Sequence, residues 1–129
     1  MSFTAYKSDN GAVTPHEYLV AAAGTYKAGQ LLGVTGGKLA ALTADTTTTP
    51  PYLCLHEGTV TDGTVIPVAR VSKDLIYETT LSGAAATAAV GAKLAVASGG
   101  LHAKTGAGTF ELVYVEGTAA DSVVRGRFA

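Results

Sequence analysis

The stretch GQLLGVTGGKL at positions 29–39 guides the interpretation of this chain, because it recurs as GAKLAVASGGL at positions 91–101. In each copy apolar residues alternate, and a Gly-Gly pair follows at 36–37 and again at 99–100. Two adjacent glycines permit the positive φ angles that a tight hairpin turn requires. The sequence therefore predicts one β-hairpin unit that is used twice.

A second group of residues repeats after the hairpin, in the same order and at nearly the same offset. Leu53, Glu57, Gly58, Thr59, Asp62 and Val65 recur as Leu112, Glu116, Gly117, Thr118, Asp121 and Val124. We therefore expect a single β-rich domain over residues 14–129, made of two repeated units at about 26–71 and 88–128. Residues 1–13 are polar apart from isolated aromatics, and we expect them to form an extended N-terminal arm.

The predicted fold is mainly β, a small barrel or sandwich-like domain with at most one or two short helices. Thr14 to Glu17 resembles a helix capping box, so the segment from Tyr18 to Ala23 is either a short helix or, as we favour, a strand. Leu75 to Thr80 reads as a further strand between the copies. The alanine-rich segment from Gly83 to Val90 is the best candidate for a short helix.

Composition excludes several classes of partner. The chain of 129 residues has a net charge of −1 with acids and bases interspersed, so we expect no nucleic-acid partner. No apolar run approaches the ~20 residues that span a bilayer, and the N-terminus does not resemble a secretory signal. We therefore expect no membrane partner and synthesis in a cytoplasm.

The residues that could carry chemistry do not form a recognisable motif. Cys54 is the single cysteine and stands between two leucines, which is typical of a buried strand thiol. Gly36-Gly37-Lys38 lacks the other residues of a phosphate-binding loop. The three histidines, His16, His56 and His102, show no metal-ligand spacing.

The duplicated carboxylates also lack a catalytic context. Asp62 precedes Gly-Thr and Asp121 precedes Ser-Val, whereas a proton-sharing acid pair of the aspartic-protease kind sits on Asp-Thr/Ser-Gly turns. Capping of backbone N–H groups at turns is the commoner role of such residues. We therefore expect no catalytic, cofactor-binding or metal-binding residues, and a binding or structural protein rather than an enzyme.

The stretch from Ala22 to Leu81 resembles the head-decoration, or capsid cement, proteins of tailed bacteriophages, lambda-type or related. The resemblance rests on Gly29 to Val34, on the Gly-Lys-Leu that follows at 37–39, on Thr-Pro-Pro-Tyr at 49–52 and on Asp-Gly-Thr-Val-Ile-Pro-Val at 62–68. It covers about half of the chain. The family pattern is a polar arm, a hairpin, a Thr/Pro-flanked strand and an Asp-Gly turn.

The resemblance implies a structural virion protein on the outer surface of an icosahedral capsid. Such a protein bridges subunits of the major capsid protein and is a homo-oligomer, most often a trimer. The arm would contact the capsid through Phe3, Tyr6 and Lys7. Partner contacts are also expected in the loop where the two copies differ, at Thr46, Thr48 and Pro50.

Two other functions remain open at this stage. The first alternative is a virion or surface adhesion module, such as a fibre-base or carbohydrate-binding domain, since the six tyrosines suit a binding surface. The second is a small hydrolase, which would need a pocket that joins Glu57 or Asp62 to a histidine.

Overall fold

A computed structural model describes residues 2–8 and 16–129 of the chain. These residues form strands joined by turns and contain no helix, so the predicted mainly-β fold is confirmed. The strands are β1 (Thr4–Ser8), β2 (His16–Ala21), β3 (Gly24–Tyr26), β4 (Leu31–Thr35), β5 (Lys38–Ala41), β6 (Tyr52–Cys54), β7 (Gly58–Val60), β8 (Thr64–Arg70), β9 (Leu75–Thr80), β10 (Lys93–Val96), β11 (Ala103–Lys104), β12 (Phe110–Val115) and β13 (Val123–Phe128).

Two sequence-based alternatives are settled by this assignment. Tyr18 to Ala21, the first part of the segment in question, lie in strand β2, as favoured, and alternate side chains along the strand are exposed. The short helix expected over Gly83–Val90 is wrong, and turns occupy that segment. Its Ala85 is buried and donates its N–H to the carbonyl of Thr118 at 2.8 Å, so backbone pairing with a distant segment replaces local helical bonds.

The first half of the chain forms a closed five-stranded barrel in the order β2-β5-β4-β6-β8. Hairpin β4–β5 turns at Gly36 and Gly37, whose φ angles of 59° and 79° are those that glycine adopts without strain. Strand β2 pairs with β8 along its whole length and with β5 at one position, Ala21 opposite Leu39. That single parallel pair closes the barrel.

The second half repeats the same arrangement of strands. Its six-stranded sheet has the order β1-β9-β13-β12-β10-β11. Without β1 and in reverse, the order is β11-β10-β12-β13-β9. The closed barrel read from β5 is β5-β4-β6-β8-β2. The two orders match strand for strand, with β9 in the place of β2 and β13 in the place of β8. The repeat is therefore longer than its sequence signature, since it includes β2 and β9.

Backbone hydrogen bonds fix which residues are equivalent. Ala21 accepts from Gly63 at 3.0 Å, and Leu81 accepts from Asp121 at 3.0 Å. We call residues 16–70 the first unit and residues 75–128 the second unit. The strand at Leu75–Thr80, expected between the copies, thus opens the second one.

The second unit closes differently from the first. Where the barrel has the pair Ala21 and Leu39, the second unit has an isolated parallel bridge between Leu81 and Ala103. Beyond that bridge, the outer edge of β9 pairs with β1. The N-terminal strand is therefore an addition to the second unit.

Two hydrophobic clusters form the core, and one of them is shared between the units. The smaller cluster fills the barrel. The larger cluster fills the second unit but also contains Phe3, Leu31 and Leu53, which come from the N-terminal segment and the first unit. The two units consequently share a hydrophobic cluster.

Backbone contacts reinforce this joint. Leu31 donates its N–H to the carbonyl of Gly100 at 2.8 Å. A Cβ at Gly100 would collide with the carbonyl oxygen of Leu31, and its φ of 75° also favours glycine. The Gln30 side chain adds a bond from Nε2 to the carbonyl of Gly99 at 2.9 Å.

Candidate functional site

The N-terminal residues expected on an extended arm are partly built into the fold. Phe3 is 1% exposed and packs edge-on against Phe110, with ring centroids 5.5 Å apart. Its N–H donates to the carbonyl of Gly29 at 2.9 Å. Because its side chain lies in the core, Phe3 is not accessible to a partner, and we do not include it in a binding surface.

Tyr6 and Lys7 lie on β1 and are exposed. Strand β1 pairs antiparallel with β9, with a register shift between Ala5 and Lys7. The expected arm therefore includes a sheet strand at Thr4–Ser8, while residues 9–13 of the arm lie outside the described residues.

Tyr6 takes part in a stack on the outer side of the second unit. The guanidinium of Arg125 lies 3.9 Å from the ring centroid of Tyr6 and 4.6 Å from that of Tyr114. Arg125 also donates to Glu78 Oε2 at 2.7 Å, which raises the pKa of the guanidinium. This stack holds β1 against β9 and β13 and occupies one face of each ring.

The loop expected to face a partner contacts the second unit. Thr46 pairs with Val96 as an isolated bridge, and Pro50 is buried. Thr48 is exposed and contributes its hydroxyl to a bond with Thr46 at 3.1 Å. Of the three predicted residues, Thr48 alone offers an exposed side chain.

Ionic contacts of the same loop explain its position. Asp45 accepts from Lys104 Nζ at 2.7 Å and from the Ser98 N–H at 2.9 Å, and these bonds lower the pKa of its carboxyl. The Thr49 and Thr109 hydroxyls lie 2.7 Å apart. The loop that distinguishes the first copy therefore joins it to the second.

Four large apolar side chains of the barrel are exposed; three lie on the outer side of β2 and β8, and the fourth, Val34 on β4, is 51% exposed. Tyr18 is 69% exposed, Val65 54% and Val20 38%. In the antiparallel register Tyr18 lies opposite Pro67, and Val20 lies opposite Val65. We call Tyr18, Val20, Val65 and Pro67 the β2–β8 face.

Sequence reasoning did not single out this face. Its signal is the alternation along β2, where Tyr18 and Val20 are exposed and Leu19 between them packs against the barrel core. Apolar residues on both faces of a strand are typical of a fully buried strand. The sequence therefore does not show that one face of β2 is exposed.

The second unit provides an internal comparison for the β2–β8 face. From the shared closure bonds, the pair Tyr18–Pro67 corresponds to Glu78–Arg125, an ion pair. Val20 corresponds to Thr80, opposite Val123. The same scaffold position thus accepts charged residues in one copy and presents exposed apolar residues in the other, so the fold does not require an apolar surface there.

The candidate reactive groups are engaged in structural contacts. Cys54 is fully buried, donates from Sγ to the carbonyl of His56 at 3.3 Å, and burial raises its pKa. Glu57 accepts from the Ala28 N–H at 3.0 Å, and Asp62 pairs with Lys38 at 2.7 Å. These two carboxylates support turns and hairpin ends.

A groove of about 320 Å³ lies between β1 and the barrel. Its walls are mostly apolar, and neither Glu57 nor Asp62 lines it. Within residues 2–8 and 16–129, no group of three or more His, Cys, Asp or Glu side chains is arranged to hold a metal ion. In the same part of the chain, no helix is long and apolar enough to cross a membrane.

Comparison of the chain with protein-family models, with curated proteins and with solved structures finds no match. The chain's own residues, above all those of the β2–β8 face, are therefore the guide to its function.

Proposed function

We propose that the chain is a capsid decoration protein, which binds the outer surface of an icosahedral phage capsid and bridges subunits of the major capsid protein. The observation that carries the proposal is the β2–β8 face, an exposed apolar surface on a scaffold whose second copy has the ion pair Glu78–Arg125 in place of Tyr18 and Pro67. Interfaces are enriched in tyrosine and depleted of charge at their centres.

The shared core supports a mechanical role. A protein that braces a shell must transmit load between its contacts, and two β units with a common core form one folded body. In the assembly we propose, copies of the chain associate as a homo-oligomer, with a trimer favoured, so that several weak contacts add in avidity.

The adhesion alternative predicts a platform of free aromatic rings for a sugar. Tyr6 and Tyr114 are the exposed tyrosines that lie close together, and Arg125 covers one face of each. Because sugar stacking uses an open ring face, the Arg125 contacts leave each of these two rings at most one face for a glycan. A glycan array tests the alternative directly.

The proposed function is tested by co-sedimentation with expanded, empty capsids of the virus whose genome carries the gene. The full chain should pellet with capsids in saturable amounts. Replacement of the face by polar residues, Tyr18→Ser with Val65→Thr, should weaken binding by at least about tenfold, equivalent to ~1.4 kcal/mol.

The matched control is Val90→Thr. Val90 is 71% exposed but lies in the second unit, away from the face. This variant should bind as the unmodified chain does. Failure of the unmodified chain to bind capsids would sink the proposed function, and a gene neighbourhood without a major capsid protein would count against it.

A further inference from the structure

Strand β2 has one edge that no described strand covers along most of its length. One edge pairs with β8 from His16 to Ala21. On the other edge the described partner is β5, which meets β2 at Ala21 and then continues past its end. In this parallel register Val20 lies beside Lys38, the first residue of β5, and positions 16–19 have no β5 residue opposite them.

Backbone directions show which groups face this edge. The Ala21 carbonyl accepts from Gly63 on the β8 side, and the Ala22 N–H donates to Leu39 on the opposite side. Since backbone groups alternate in direction along a strand, Tyr18 and Val20 direct their N–H groups away from β8. Among the described residues, no group accepts from either of these two N–H groups.

The equivalent edge of the second unit is covered. Strand β1 pairs there with β9, placing Thr4 opposite Glu78 and Lys7 opposite Ile76. By the equivalence of the closure bonds, Glu78 corresponds to Tyr18. The scaffold thus accepts an added antiparallel strand beside Ile76 and Glu78, which correspond to His16 and Tyr18, and no described strand covers these two positions of the first unit.

The open edge has few of the features that commonly prevent strand pairing, since its one acidic residue, Glu17, is paired with Arg70. Natural edge strands are shortened, carry lysine or proline, or are covered. Strand β2 has six residues, HEYLVA, with one charged residue. Its exposed residues Tyr18 and Val20 belong to the β2–β8 face.

We propose that this edge of β2 binds an extended segment of another protein as an additional antiparallel strand. The idea rests on the proposed function in one respect, since it takes the segment from the major capsid protein. Backbone bonds to Tyr18 and Val20 provide the pairing, as in other strand-addition complexes.

The equivalent position in the second unit indicates the side chains that fit. There, Tyr6 of the added strand lies over Arg125 beside Glu78. In the first unit the same place is occupied by Pro67 beside Tyr18. The segment should therefore carry an aromatic or branched aliphatic side chain at this place.

The segment does not come from β1 of a second copy. Strand β1 already covers its own β9, and it is held there by the buried ring of Phe3 and by the Arg125–Tyr6 stack. A copy that donated β1 would lose these contacts. A foreign segment fills the edge without that loss.

The first test uses a synthetic, end-blocked peptide with the sequence of residues 2–8, because this segment is known to fit the equivalent edge. Titration into the isotope-labelled full chain, followed by NMR, should give saturable amide shifts at Tyr18 and Val20. Shifts confined to Leu75–Glu78, or no shifts at millimolar peptide, would overturn the proposal.

Two proline variants remove an N–H from the open edge. Val20→Pro should weaken peptide binding about tenfold, the loss of roughly one net hydrogen bond, whereas Val20→Thr, which keeps the N–H and copies Thr80, should bind within about twofold. His16→Pro acts at the first position of the strand, where proline is tolerated, and gives a second variant if Val20→Pro does not fold.

The capsid assay separates this inference from the proposed function. If capsids bind the unmodified chain and Val20→Thr but not the proline variants, both stand. If the folded proline variants bind capsids as well as the unmodified chain, the edge is not used and the proposal is overturned, while capsid binding itself stands. If no form binds capsids, the peptide titration alone decides the edge.

Discussion

Replacing Phe3 tests whether the N-terminal segment is part of the fold or a free arm. Phe3 is 1% exposed and contacts the rings of Phe110 and Phe128, with centroids 5.5 and 6.2 Å away. Truncation of a buried phenylalanine to alanine costs about 3–5 kcal/mol, the sum of lost transfer energy and the cavity left behind. We expect the loss of unfolding free energy for Phe3→Ala to lie in this range. The hydrogen bond from the Phe3 N–H to Gly29 holds the backbone at the edge of the cavity, so the cavity does not collapse.

The assay is urea unfolding at equilibrium, supported by thermal melts. At roughly 3–5 °C per kcal/mol for a chain of this size, the midpoint should fall by about 10–20 °C. Tyr6→Ala is the matched control, because Tyr6 is 52% exposed and loses mainly its stack on Arg125, worth about 0.5–1 kcal/mol. A free energy of unfolding for Phe3→Ala within ~0.5 kcal/mol of the unmodified value would refute the placement of Phe3 in the core.

Three further predictions concern the joint, the thiol and one histidine. Gly100→Ala should destabilise the chain by at least ~2 kcal/mol more than Gly99→Ala. Both glycines have a positive φ, but a Cβ at Gly99 meets open space, whereas a Cβ at Gly100 meets the backbone of Leu31. Equal losses of unfolding free energy in urea would contradict this close approach. Cys54 should resist a disulfide exchange reagent at pH 8 in the folded chain and react fully in denaturant, since burial raises its pKa; stoichiometric labelling of the native protein within minutes would disprove this. Burial lowers the pKa of His102, so the folded chain binds its proton less well than the unfolded chain, and the free energy of unfolding should decline as pH falls below about 6.5. His102→Gln should remove that slope, and an unchanged pH profile in this variant would assign the slope to another group.

The sequence predicted the architecture well where local chemistry determines it. The β4–β5 hairpin and the β-rich duplication follow from alternation and glycine pairs. The tight turn expected at Gly99 and Gly100 is wrong, because six residues join Val96 to Ala103 in the second copy. The register of the repeat did not follow, because the sequence matches Leu53 to Leu112, whereas the bonds from Gly29 and Gly91 go to Cys54 and Leu112. A bulge between Leu112 and Tyr114 inserts one residue and restores the match later in the strand.

The candidate site was less predictable because it depends on long-range placement. Nothing local in the polar N-terminal sequence shows that Phe3 reaches a core built from residues more than a hundred positions away. The exposed Tyr18 likewise resembles a core residue in an apolar run. Which apolar side chains stay in solvent is determined by barrel closure through Ala21 and Leu39, which no sequence window contains.

The shared core gives the short link at 71–74 a thermodynamic role. Because Leu31 and Leu53 complete the hydrophobic cluster of the other unit, each half separated from its partner would expose apolar surface. The link keeps the two halves at an effective concentration in the millimolar range typical of short tethers. Cleavage at this exposed turn should therefore turn a concentration-independent fold into a fragment-complementation pair, stable when mixed at high concentration and lost on dilution.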